Sequence, residues 1–275
     1  MSARMTVVLP FLAMLASVIS PGMARAASAQ DLYVSDAIVT GTGEENREIG
    51  FRECLEEVLV KVSGDQRVLA APALAPLIER AGRFVASFAY RDRLEGIPIH
   101  DEQGTHDRPH NLTCRYDPAT IDRLLGSLGT RPWPQPRPRI AVFLAVHDQK
   151  SSFTLTSDGE ESPYMAESLS SATVPLALEA RLPDQKTRVA EKLDLDVVST
   201  KTTVQLEQLA KEVGGDVALA GKISWSDEAL GWIAEWQLHS AGKTHRWQVR
   251  GVSFDDAFRN AIRGAAQILS GNGAP

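Results

Sequence analysis

The sequence predicts an α+β protein of two small domains, each with helices packed on a mixed or antiparallel β-sheet. Three observations carry this reading. The first half alternates strand-like and helical periodicity in the order β-α-α-β-β-α. A stretch of alternating prolines, Arg131–Arg139 (RPWPQPRPR), follows it. The second half ends in three alternating, strand-length segments and one amphipathic helix. The expected boundaries are residues 1–29 for a signal peptide, 30–129 for the first domain, 130–139 for a Pro-rich linker and 140–275 for the second domain. The alternative for the proline stretch is a loop inside one domain.

At the N-terminus, Met1–Met5 carries one positive charge, Arg4, and Thr6–Ile19 (TVVLPFLAMLASVI) is apolar and uncharged. Two small-x-small sites follow, Ala24-Arg25-Ala26 and Ala27-Ser28-Ala29. This order predicts a cleaved secretory signal with a mature start at Ala27 or Gln30, an uncleaved anchor being the alternative. The run is short for a bilayer span, and no later segment is apolar for long enough to cross one. A periplasmic protein without an integral membrane segment after cleavage is expected.

Asp31–Thr40 (DLYVSDAIVT) is strand-like. Thr42–Asp65 reads as one amphipathic helix. Thr42 and Glu45 have capping-box spacing, and Ile49, Phe51, Leu55, Val58, Leu59 and Val62 recur at three- and four-residue steps. Gly64 suits the left-handed conformation that ends a helix. Pro72–Ala81 predicts a short helix, or one beginning at Pro76. Arg83–Tyr90 sets Phe84, Ala86, Phe88 and Tyr90 on one strand face. A polar excursion over Arg91–Arg108 follows, with His110–Tyr116 as the returning strand. Asp117-Pro118 begins a helix carrying Ile121, Leu124, Leu125 and Leu128, which Gly129 ends.

In the second half, Ile140–Val146 (IAVFLAV) is apolar throughout, as a strand buried on both faces would be. Ser162-Pro163 can start a short helix, and Val174–Leu182 looks strand-like. Pro183–Thr200 gives no clear element. Thr203–Val213 is helical. Asp216–Trp225, Gly231–His239 and Thr244–Arg250 form the meander, and Ser253 caps the final helix. Alternation puts Val217, Leu219, Ile223, Trp225, Trp232, Ala234, Trp236, Leu238, Trp247 and Val249 in the core, under the helices starting at Thr203 and Ser253. The opposite face carries Lys222, Ser224, Glu235, Gln237, His239, Arg246, Gln248 and Arg250. Either it is the solvated side of a one-sided sheet, or Lys222, Glu235, Gln237, His239, Arg246 and Arg250 form a partner-binding surface.

Formal net charge is −6, with no basic patch of the kind nucleic acid requires. The two cysteines, Cys54 and Cys114, are both expected to face the first core. Export permits a disulfide between them, and two buried thiols are the alternative. His100, His106 and His110, interleaved with Asp101, Glu102 and Asp107, are weak metal candidates at no standard spacing, and a solvated loop is the simpler reading. Ser240-Ala241-Gly242-Lys243 fits S-x-x-K but falls in an expected β-turn rather than at a helix start. No nucleophile elbow, zincin, phosphate-loop or dinucleotide fingerprint is present, and no cofactor is expected.

The pieces DLYVSDAIV, EEVLVKVSGD, LTCRYDPATIDRLL, RPRIAVFLAV and GGDVALAGKI, in that order, resemble the exported bacterial family called domain of unknown function 2066. That resemblance implies an envelope protein and supplies no functional residue. The halves are also similar in layout to small domains of envelope accessory proteins, of flagellar-assembly and curli-secretion type, that bind other proteins. The expectation is a non-catalytic exported accessory protein that binds an envelope protein partner. The alternative is an exported hydrolase, metal-assisted through the histidine excursion.

Overall fold

A computed structural model describes residues 31–97, 107–201 and 203–275. The chain is α+β with two sheets. A single 3-10 turn at Asp31–Tyr33 leads into β1 (Val34–Thr40), and α1 (Glu44–Ser63) follows. Gly43 is the N-cap of α1, so no side chain caps the helix and the expected Thr42–Glu45 box does not form. Thr42 lies one residue too far out for its hydroxyl to serve as the cap. At the other end Gly64 adopts φ 70° and its amide bonds the Val60 carbonyl. Phe51, Cys54, Leu55, Val58, Leu59 and Val62 are buried, whereas Ile49 is 46% exposed. At 100° per residue, Ile49 points some 160° away from the stripe that Phe51 begins.

A short α2 (Ala75–Ile78) and a 3-10 turn at Ala81–Phe84 replace the longer helix expected there. Next come β2 (Val85–Asp92), β3 (Pro109–Tyr116) and α3 (Pro118–Ser127), whose cap Asp117 accepts from the Thr120 amide at 2.9 Å. The three strands form an antiparallel sheet in the order β1-β3-β2, and α1 lies across one face.

The second sheet contains β4 (Ile140–His147), β5 (Ser152–Thr154), β6 (Ala180–Arg181), β7 (Val217–Ser226), β8 (Gly231–Ser240) and β9 (Lys243–Val252). Its main path is β5-β4-β7-β8-β9, with β4 and β7 parallel and the meander antiparallel. Between β5 and β7 run α4 (Pro163–Thr173), α5 (Gln185–Ala190), α6 (Leu195–Thr200) and α7 (Thr203–Glu212), and α8 (Phe254–Leu269) closes the chain. The strand expected over Val174–Leu182 shrinks to the two residues of β6. Pro175 brings no amide donor, and the chain turns through left-handed Ala177 (φ 49°).

Helices cover this sheet on both sides. α8 packs on β8 and β9 and α4 packs on α8, in one cluster with Leu219, Ile223, Trp236, Leu238 and the first sheet's core. α6 and α7 pack on the reverse face against Ala141, Phe143, Ala145, Ala218 and Ala220. The expectation that the Thr203 and Ser253 helices share one face is therefore corrected. Ala218 and Ala220 make the reverse face of β7 apolar and shallow, and α7 docks there. Gly221 faces the other way, where Trp236 lies so close that a Cβ would overlap its ring.

The proline stretch forms a packed seam between the two halves. The Trp133 amide donates to the Val62 carbonyl at 2.7 Å. Arg137 is only 8% exposed, stacks on Trp133 at 4.4 Å and donates to the carbonyls of Lys61 (2.7 Å), Trp133 (3.0 Å) and Leu176. Among the described residues it forms no ion pair with a carboxylate, and burial pushes its guanidinium pKa down to about 10. Among the described residues no helix is long and apolar enough to cross a membrane.

Candidate functional site

The meander's register arranges its reverse face as a grid. Lys222, Glu235 and Gln248 lie opposite one another across β7, β8 and β9, and Ala220, Gln237 and Arg246 form the adjacent row. Flanking these are Ser224, Ile233 and Arg250 on one side and His239 with Thr244 on the other. Side chains two residues apart on a strand share a face about 6.7 Å apart, so the two central rows are contiguous.

Helix placement turns the central rows into a groove. α6 and α7 lie over the β4 and β7 side of this face, and α7 reaches as far as Gln237 of β8. The step between helix and bare sheet forms a cavity of about 440 Å³, lined by Val198, Ser199 and Lys201 above and by Lys222, Glu235, Gln237, Arg246 and Gln248 along the strands. Such a volume falls within the range of ligand clefts.

One chain of contacts orients the groove's arginine. Arg246 Nε donates to Gln237 Oε1 at 3.0 Å, and Gln237 Nε2 donates to Thr203 Oγ1 at 3.4 Å. Thr203 is fully buried at the start of α7. The guanidinium is thus tied to the scaffold through Nε. Lys201, Lys222 and Arg246 form no ion pair within 4.0 Å among the described residues. Glu235, opposite Lys222, is the groove's one carboxylate. Three cations against one anion give the groove a positive field in a chain of net charge −6.

Of the residues singled out from sequence, Lys222, Glu235, Gln237 and Arg246 line this groove. His239 and Arg250 share the face but lie outside it, with His239 Nδ1 3.2 Å from Thr244 Oγ1. Sequence reasoning missed Lys201 and Ser199, because the segment supplying them gave no readable element. The Asp194 N-cap position, followed by Leu195, Val197 and Val198, is the signal for α6 that was there to use.

The other candidates lie elsewhere. His100, His106, Asp101 and Glu102 fall outside the described residues. His110 sits in β3, edge-on to Tyr90 at 6.0 Å, with Nδ1 2.8 Å from the Arg108 carbonyl oxygen. Among the described residues no three His, Cys, Asp or Glu side chains converge as a metal site. Cys54 and Cys114 are joined as a disulfide between α1 and β3, with Cα atoms 6.3 Å apart.

Residues 26–134 match the family model of a domain of unknown function, DUF8605. The match covers the first sheet with α1 and α3 and ends before the groove. It corrects the resemblance to domain of unknown function 2066, which finds no match. The quoted pieces are an amphipathic helix, a capped helix and a buried strand, patterns that packing imposes on many unrelated α+β chains. No curated protein and no solved structure matches the chain.

Proposed function

We propose that the chain is a non-catalytic, exported accessory protein of the cell envelope that binds a protein partner through the groove on the meander's reverse face. The observation carrying this reading is the set Lys201, Lys222 and Arg246, held around one cavity without ion-pair partners among the described residues. A cross-strand carboxylate would stabilise an exposed cation on a sheet by about 0.2–1 kcal/mol. Here Arg246 is instead held by an amide, and an orienting amide suits a charge kept for a ligand.

Three features support export. The leader-like run at Thr6–Ile19 is followed by small-x-small sites. The family match begins at residue 26, beside those sites. The Cys54–Cys114 disulfide suits an oxidising compartment. N-terminal sequencing of protein recovered from the periplasm should return Ala27 or Gln30, and an intact Met1 overturns the cleavage.

The binding reading is tested by affinity capture from envelope extracts with wild-type protein and the double variant R246E/R250E. The variant should lose the co-purifying species identified with wild type while keeping its melting temperature, since both side chains are exposed. Undiminished recovery of the same species removes the groove from the reading.

A further inference from the structure

The groove opens sideways onto β9, the last strand on its side of the sheet. β9 runs for ten residues, pairs only with β8 and has no strand on its outer edge among the described residues. Its sequence, KTHRWQVRGV, contains no proline and no acid. The one irregularity in its pairing falls at the far end, where Gly251 takes φ 69° opposite the step between Trp232 and Ile233. From Lys243 to Arg250 the edge is regular. An unpaired edge about 30 Å long is a template for another strand unless something restricts what can pair with it.

Charge and alternation supply that restriction. Lys243, Arg246 and Arg250 are exposed along β9 and form no ion pair among the described residues. A second copy offering the same edge would set cation against cation, which disfavours self-pairing. Thr244, Arg246, Gln248 and Arg250 point to the groove side, while His245, Trp247 and Val249 point to the α8 side and are half-buried. An incoming strand therefore meets cations on one face and the rim of an apolar core on the other.

We propose that an acidic, extended segment of the partner protein adds to the sheet along the outer edge of β9. Alternate residues carry carboxylates toward Arg246, Arg250 and the groove, and the residues between them are apolar and lie against Trp247 and Val249. This rests on the groove being the partner site and adds the partner's chemistry and conformation. Main-chain pairing supplies affinity in such additions, and the alternate side chains supply selection. A free phosphate or a lipid headgroup satisfies the cations but leaves the β9 amides and carbonyls unmatched.

The test uses the full oxidised chain and two capped octapeptides, one alternating Glu with Val and one alternating Lys with Val. Binding is followed by titration calorimetry and by amide hydrogen exchange. The Glu–Val peptide should bind, slow exchange of the outward-facing β9 amides at least about tenfold and bind R246E/R250E about tenfold more weakly. The Lys–Val peptide should do neither. Should R246E/R250E misfold, R246Q/R250Q carries the comparison. Equal slowing by both peptides overturns the charge selection. Binding of the Glu–Val peptide without slowing at β9 overturns strand addition. Arginine-dependent retention on phosphatidylglycerol vesicles without peptide binding replaces the peptide by a lipid surface and overturns the proposal. If strand addition fails while R246E/R250E still abolishes capture, the groove reading stands alone; if capture is unchanged, that reading has failed first.

Discussion

Replacing Arg137 by Met should unsettle the seam between the two halves more than any surface substitution. The guanidinium donates to carbonyls of three separate segments: Lys61 and, at 3.4 Å, Val62 at the end of α1, Trp133 in the proline stretch and Leu176 after α4. Hydrogen bonds to a charged donor contribute about 1.5–3 kcal/mol each, so the three shorter ones sum to about 5–9 kcal/mol. Opposing this is the burial of an uncompensated cation. The fall of its pKa from the ordinary arginine value to about 10 corresponds to about 3 kcal/mol. The net contribution is about 2–6 kcal/mol. Methionine keeps the apolar stem on Trp133 and relieves the charge, but it leaves three carbonyls unsatisfied. R137M should therefore lower unfolding stability by about 2–4 kcal/mol in urea titration followed by tryptophan fluorescence, at an unchanged or smaller slope. R137K should fall between wild type and R137M, because an ammonium retains the charge but not the planar fork. Stability of R137M within about 0.5 kcal/mol of wild type would refute the reasoning and make the arginine a passenger at the seam.

Three further perturbations follow from the packing. G221A pushes a methyl group into the ring of the fully buried Trp236 and should cost about 1–3 kcal/mol, read as a lower melting temperature; an unshifted melt contradicts the packing. The Cys54–Cys114 bridge closes a loop with a sequence separation of 60, so C54S/C114S should lose about 4 kcal/mol, and denatured oxidised protein should show no free thiol; two titratable thiols contradict it. Asp216 pairs with Arg139 at 3.1 Å, and that guanidinium holds its carboxyl below the ordinary value of 3.8. The stabilisation it gives is fully present above that ordinary value and is lost as pH falls through the lower folded one, so D216N should flatten the acid limb of the stability profile; an unaltered limb contradicts this assignment.

Much of the fold was legible because the relevant physics is local. The strand buried on both faces at Ile140–Val146, the stops at Gly64 and Gly129, the Asp117 and Ser253 caps and the meander's alternation all follow from residues within one element. The failures share a different cause. Whether α7 lies over Leu219 or over Ala218 and Ala220 depends on how the crossover returns from β4, which neither strand's own pattern encodes. Ile49 is apolar yet exposed, because its angular position on α1, not its residue type, sets which side it faces. For the site, strand parity was sufficient to gather Lys222, Glu235, Gln237 and Arg246, since period two is unambiguous in a regular meander. Parity could not separate these four from His239 and Arg250. The groove's limits are drawn by helices, and Lys201 enters it from a turn more than twenty residues away from Lys222 in sequence.

Site-specific photo-crosslinking in cells tests the groove most directly, because it requires neither a stable complex nor a known partner. A photoreactive residue at Gln248, exposed on the groove floor, is compared with one at Arg115, exposed on β3 of the first sheet. One dominant cross-linked protein is expected from position 248, absent from position 115 and lost when R246E/R250E is combined with the probe. Cross-links of equal yield from both positions, or none from position 248 while position 115 captures a partner, would contradict it.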